Sequence, residues 1–95
     1  MIAFLTIELR IEAAQSLKDK RQVVRSLKDR LRARFNVAVA ELDQADLWQR
    51  ATLGVVSISD SRQYLDGLMR HVEREALRVA NNNGAEVTDT FVEFL

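Results

Sequence analysis

Residues 1–12 read MIAFLTIELRIE, and this stretch decides the fold. Ala3, Leu5, Ile7, Leu9 and Ile11 alternate with Thr6, Glu8, Arg10 and Glu12. A two-residue period of apolar and polar side chains marks a β-strand with one buried and one open face. Ser16 follows, with Asp19 three positions on, a weak capping-box arrangement that opens a helix. From there the apolar spacing changes to helical: Val24, Leu27, Leu31 and Phe35 form a stripe, with Leu17 and Val23 at its margins.

The pattern continues outward. Residues 35–42 read as a second strand, where Val37 and Val39 favour extended backbone. Residues 43–49 read as a loop containing Trp48, and 51–59 as a third strand. Asp60 or Ser61 caps a second helix, whose core face is Leu65, Leu68, Met69, Val72, Ala76, Leu77 and Val79. Asn81-Asn82-Asn83-Gly84 stops it, since Asn and Gly tolerate the left-handed backbone of a helix C-terminus. Residues 86–94 form the last strand. The order β-α-β-β-α-β in one domain over 1–95 predicts an α+β, ferredoxin-like sandwich. Its four-stranded antiparallel sheet would carry both helices on one face, with the first and third strands central. The even residues of the first strand would face away, joined by Glu41, Asp89 and Glu93, leaving a bare face that is mixed to acidic.

Composition narrows the function classes. With 95 residues the chain buries one core without covalent staples. It has no Cys, which excludes disulfides, thiolate metal sites and thiol catalysis. No apolar run approaches the roughly 20 residues of a membrane span, and no basic segment precedes the apolar start as in a signal peptide. The expectation is a cytoplasmic protein without membrane contact.

Net charge is zero, but it is unevenly spread. Between Lys18 and Arg34 lie eight basic and two acidic residues, a balance of +6; the other six basic and twelve acidic residues leave −6. Lys18, Arg21, Arg25, Lys28 and Arg32 step by three and four, so they share one helical face over about 21 Å. Cations in a helix's first turn are mildly unfavourable, by roughly 0.3–1 kcal/mol each when exposed. Lys18, Lys20 and Arg21 nonetheless sit there beside Ser16, with Asp19 as counterweight. Backbone N–H groups and cations at a helix start suit an anion. The candidate phosphate site is therefore Ser16, Lys18, Lys20 and Arg21, extended along the helix by Arg25, Lys28 and Arg32. A solvated helix face is the competing reading.

Other residues carry less. His71 has no second His or Cys for a metal site. Trp48 reads as a pin holding its loop to the core. Asp43, Asp46 and Glu41 form an acidic turn in which weak Mg²⁺ binding is conceivable. Gly54, inside the third strand, marks a bulge or a close backbone approach. Stacking of RNA bases on the sheet is disfavoured, because the third strand has no aromatic residue and the first has only Phe4. Acylphosphatases share the element order, but they need a Gly-rich phosphate loop with an Arg after the first strand. Residues 12–16 here contain neither. No catalytic constellation and no cofactor motif is present, so the expectation is a non-enzymatic protein.

The chain resembles the YlxP-like family of small bacterial proteins of uncharacterised function. The likeness rests on Ser16-Leu17-Lys18-Asp19-Lys20-Arg21, on Phe35-Asn36-Val37-Ala38-Val39-Ala40-Glu41, and on Leu47-Trp48 followed by Ala51-Thr52-Leu53-Gly54. It implies a ferredoxin-like α/β fold. Genes of that family often lie beside those of translation initiation and ribosome-maturation factors, which implies an RNA- or ribosome-linked role. The partner expected on this reading is structured RNA or the ribosome, met through the first helix. The alternative is an interaction module or homo-oligomer using the basic helix layer, the acidic sheet face or the edge strands. A third reading is a small anionic ligand such as a nucleotide at the start of the first helix.

Overall fold

The computed structural model describes residues 1–42 and 47–95. The elements are β1 (Ile2–Arg10), α1 (Leu17–Arg34), β2 (Ala38–Leu42), β3 (Arg50–Ile58), α2 (Arg62–Asn82) and β4 (Glu86–Phe94). The sheet runs β2-β3-β1-β4 with every neighbouring pair antiparallel. The fold is the expected ferredoxin-like sandwich, with β1 and β3 central. Along β1, Ala3, Leu5 and Ile7 have no exposed surface and Leu9 has 1%. Against this face pack α1, mainly beside β2, and α2, beside β1 and β4. Val24, Leu27 and Leu31 from α1 meet Leu65, Met69, Val72 and Ala76 from α2 in one core. Each fully buried aliphatic side chain contributes about 1.5–3 kcal/mol.

Both helices begin on a serine. The Ser16 hydroxyl accepts from the Asp19 N–H at 3.1 Å, and Ser61 accepts from the Tyr64 N–H at 3.1 Å. α2 ends at Asn83, and Gly84 then takes a positive φ of 72°, which a side chain would resist.

Four details differ from the sequence expectation. First, Phe35 caps α1, its N–H donating to the Leu31 carbonyl at 2.9 Å, so β2 starts at Ala38. Second, Leu77 is half exposed, and Ala80 takes the core position one step around α2. Third, Glu41 pairs with Leu53, which pairs with Ile7, so the pleat puts Glu41 on the helix side. Fourth, the open face, expected to be mixed to acidic, is divided into an apolar half and an acidic edge. Phe4, Ala38, Ala40, Leu42, Val56 and Ile58 make one half apolar, while Glu8, Asp89 and Glu93 gather toward β4.

Gly54 keeps its register with both neighbours, and the irregularity lies instead between Glu8 and Leu9 against β4. What needs a glycine is a side-chain lid. A Cβ at Gly54 would lie 2.9 Å from Leu42 Cδ1 and 3.1 Å from Phe4 Cε1. The far end of Leu42 can swing away for a single methyl group. Gly54→Ala is therefore expected to cost less than about 1.5 kcal/mol and Gly54→Val about 1–3 kcal/mol in urea unfolding.

Candidate phosphate-binding surface on the helix layer

The seven expected site residues do not stay together. Ser16 is occupied as the cap of α1, and the Asp19 carboxylate accepts from the Gln15 N–H at 3.0 Å, so a carboxylate already sits at the helix start. Lys20 leaves the surface altogether: it is 1% exposed, and its Nζ lies 3.1 Å from Glu41 Oε2. The reason is angular. Residues 20, 24, 27 and 31 follow the spacing of the buried stripe, so the helix turns Lys20 inward with Val24, Leu27 and Leu31. Its long stem fills core space while its ammonium reaches the one carboxylate on the helix side of β2.

The remaining five stay outside. Lys18, Arg21 and Arg25 are exposed and Lys28 is half-buried. Arg32 is exposed but held by Asp29, with Nη2 3.0 Å from Oδ1. Arg21, Arg25, Lys28 and Arg32 line a groove of about 300 Å³ between the outer flank of α1 and β2, shared with Asp29 and Glu41.

A second cationic group was not read from the sequence. On α2 the carboxylate of Glu75 is buried, its side chain only 5% exposed. Arg30 Nε donates to Oε2 at 2.9 Å and Arg34 Nη1 to Oε1 at 2.9 Å, both from α1. Arg78 donates through Nε at 3.1 Å and through Nη2 at 2.7 Å. Hydrogen bonds from Arg78 and Arg30, with the charge of Arg34 beside them, hold the Glu75 carboxyl down at about 2. The signal was present in the sequence: Glu75 interrupts the apolar spacing Val72, Ala76, Val79. Its partners on α1 lie 41 and 45 residues away and could not be matched to it.

Other candidates resolve more simply. Trp48 is half exposed, so it does not pin its loop to the core. The acidic-turn reading falls largely outside the described residues, which omit Asp43 and Asp46, and Glu41 is committed to Lys20. Among the described residues no group of three His, Cys, Asp or Glu could hold a metal ion. No helix among them is long and apolar enough to cross a membrane.

Comparison with known proteins places the chain in a family. Residues 2–92 match the family of proteins of unknown function DUF503, and the chain belongs to it. It is 40% identical over 62 residues to the uncharacterized protein YlxP of Bacillus subtilis (strain 168), covering 65% of this chain and 67% of that protein. Two solved structures share the fold. A C-terminal segment of the alpha subunit of aIF2 from Pyrococcus abyssi matches with TM-score 0.57 and 13% identity, over 97% of this chain. The chain spans 48% of that segment's length. A structural-genomics protein named YJCS matches with TM-score 0.56 and 10% identity, over 100% of this chain and 99% of its own. At such identities the likeness concerns the fold alone.

The depressed Glu75 carboxyl has a pH consequence. An unfolded Glu titrates near 4.5 and the folded one at about 2, so the unfolded state binds more protons between these values. The stabilisation is complete above about pH 4.5 and falls away as pH drops toward 2. Glu75→Gln is expected to be less stable than wild type at neutral pH. Its unfolding curve should flatten across this acid window, as read by denaturant melts at stepped pH.

Proposed function

For this member of the DUF503 family we propose a non-enzymatic role in binding the phosphate backbone of structured RNA, ribosomal RNA included, through the outer face of α1. The observation that carries it is the row Lys18, Arg21, Arg25, Lys28 and Arg32, aligned along one outer flank, exposed but for the half-buried Lys28, in a chain of zero net charge. Segregated charge of this kind draws a polyanion and steers its approach. A row of phosphate contacts positions an RNA by shape, with little base readout. Lys20 and Ser16 take no part, one being buried and the other capping the helix.

A second reading is favoured by the apolar half of the open sheet, where Ile58 is 72% exposed and Val56 and Leu42 37% each. Here the chain self-associates, covering this half with a second copy. A concentration-dependent mass by light scattering, abolished by Ile58→Asp, supports it; a constant monomer mass at high concentration overturns it.

The RNA reading is tested by titrating a labelled structured ribosomal RNA fragment at several salt concentrations. Five phosphate contacts from the α1 row contribute about −3.5 to −4.5 to the log–log slope. The triple variant Arg21→Glu, Arg25→Glu, Lys28→Glu should flatten the slope and weaken binding sharply, whereas Lys20→Met should leave the slope unchanged. A folded triple variant that binds like wild type overturns the reading.

A further inference from the structure

We propose that the arginine cluster around Glu75 is a second phosphate site, preorganised at the seam between α1 and α2. It extends the RNA reading to a separate surface, and it can stand or fall alone.

The cluster holds more cation than an ion pair needs. Arg78, from the same helix and three residues away, already neutralises the Glu75 charge and gives one hydrogen bond to each carboxylate oxygen. Arg30 and Arg34 nonetheless reach across from α1 to the same carboxylate. Three guanidiniums on one carboxylate leave a local excess of +2. The one carboxylate between them offsets one of these three positive charges and leaves the other two uncompensated within the cluster. Arg74 and His71 line the same depression, of about 260 Å³, together with Arg34, Phe35, Glu75 and Arg78. Glu75 is the sole acid in that lining.

The donors are also available. A guanidinium carries five N–H donors in a rigid fork. Glu75 takes one from Arg30, one from Arg34 and two from Arg78. The rest belong to side chains that are 54%, 57% and 49% exposed. The Arg34 guanidinium also lies 5.7 Å from the centre of the Phe35 ring, a second restraint on its position. A buried carboxylate thus fixes the inner side of three forks and leaves their outer side to solvent. That geometry fits the oxygens of a phosphate, which guanidinium forks bind two at a time. Because the side chains are already held, less rotamer freedom is lost on binding. In this scheme Glu75 is a positioning residue, and Arg34 and Arg78 make the phosphate contacts.

The phosphate belongs either to an RNA backbone or to a free anion, and Glu75→Gln tests both by the sign of its effect. Charge counting alone gives this variant one more net positive charge and tighter RNA binding. Loss of positioning gives weaker binding despite that charge, by about three- to tenfold. Arg34→Lys, which keeps the charge and loses the fork, should weaken binding in the same direction and guards against a poorly folded Glu75→Gln. Arg34→Gln with Arg78→Gln should reduce the salt slope by about 1.4–1.8. Equal or tighter RNA binding by folded Glu75→Gln, with Arg34→Lys unchanged, overturns the RNA arm. For the free anion, inorganic phosphate and pyrophosphate are added during thermal melts of the full chain. Stabilisation of wild type that is lost in Arg34→Gln with Arg78→Gln supports a free-anion site even where no RNA binds. Absence of both effects overturns the proposal, whatever the α1 row does.

Discussion

The two-residue period of β1 is the constraint on which the molecule depends. β1 is paired along both edges, so its backbone groups are satisfied and only its two faces remain to be assigned. A one-residue slip would exchange Ala3, Leu5, Ile7 and Leu9 for Thr6, Glu8 and Arg10 beneath the helices. That exchange would bury charges with no partners in place. The pairing then propagates: Leu5 fixes Val55 and Val55 fixes Val39, while Ile7 fixes Leu53 and Leu53 fixes Glu41. Glu41 therefore sits under α1 because of the pleat, and Lys20 has a carboxylate to meet.

The surplus charge of α1 is divided by helical angle. Lys20 turns into the core, Arg30 and Arg34 turn toward α2, and Lys18, Arg21, Arg25, Lys28 and Arg32 turn outward. Removing an ammonium from water costs several kcal/mol unless a counter-charge stands beside it. The two inward directions meet this requirement with Glu41 and Glu75, the acids that register and helix packing place there. Among the described residues, the outward row has an ion pair at one of its members only, between Arg32 and Asp29. Sequence charge counts treat these cations alike, and the fold does not.

The legible part of the fold was the part with a single period. β1 and α1 could be read because one alternation or one stripe dominated each of them. Facing in β2, β3 and β4 could not, because both alternations in those strands contain apolar residues, and only the pairing that starts from β1 resolves them. Phe35 and Val37 favour extended backbone, yet Phe35 is used to end α1, so propensity placed the start of β2 too early. For the candidate site, the outward row was legible from spacing alone. Lys20 was misplaced because it was read as a charge before it was read as a position, and Glu75 was not singled out at all, although both lie on the apolar spacing of their helices. The cross-helix partners of Glu75 depend on how α1 and α2 pack, which no local pattern encodes.

On the proposed functions, the two cation groups differ in kind as well as in place. The side chains of the outer row are long and, Lys28 apart, exposed, and ordering one such chain costs up to about 2 kcal/mol of rotamer freedom. Their contribution to a polyanion is diffuse attraction, strong at low salt and tolerant of geometry. The cluster at the seam has lost most of that freedom on folding, because Glu75 holds each guanidinium at 2.7–3.1 Å. Fixed donors discriminate by distance, since a phosphate displaced by an ångström loses the hydrogen bond and keeps only the field. A helix layer carrying both kinds can gather an RNA through one flank and set its register at the seam. The same buried carboxylate that ties α2 to α1 would then decide where the phosphate rests.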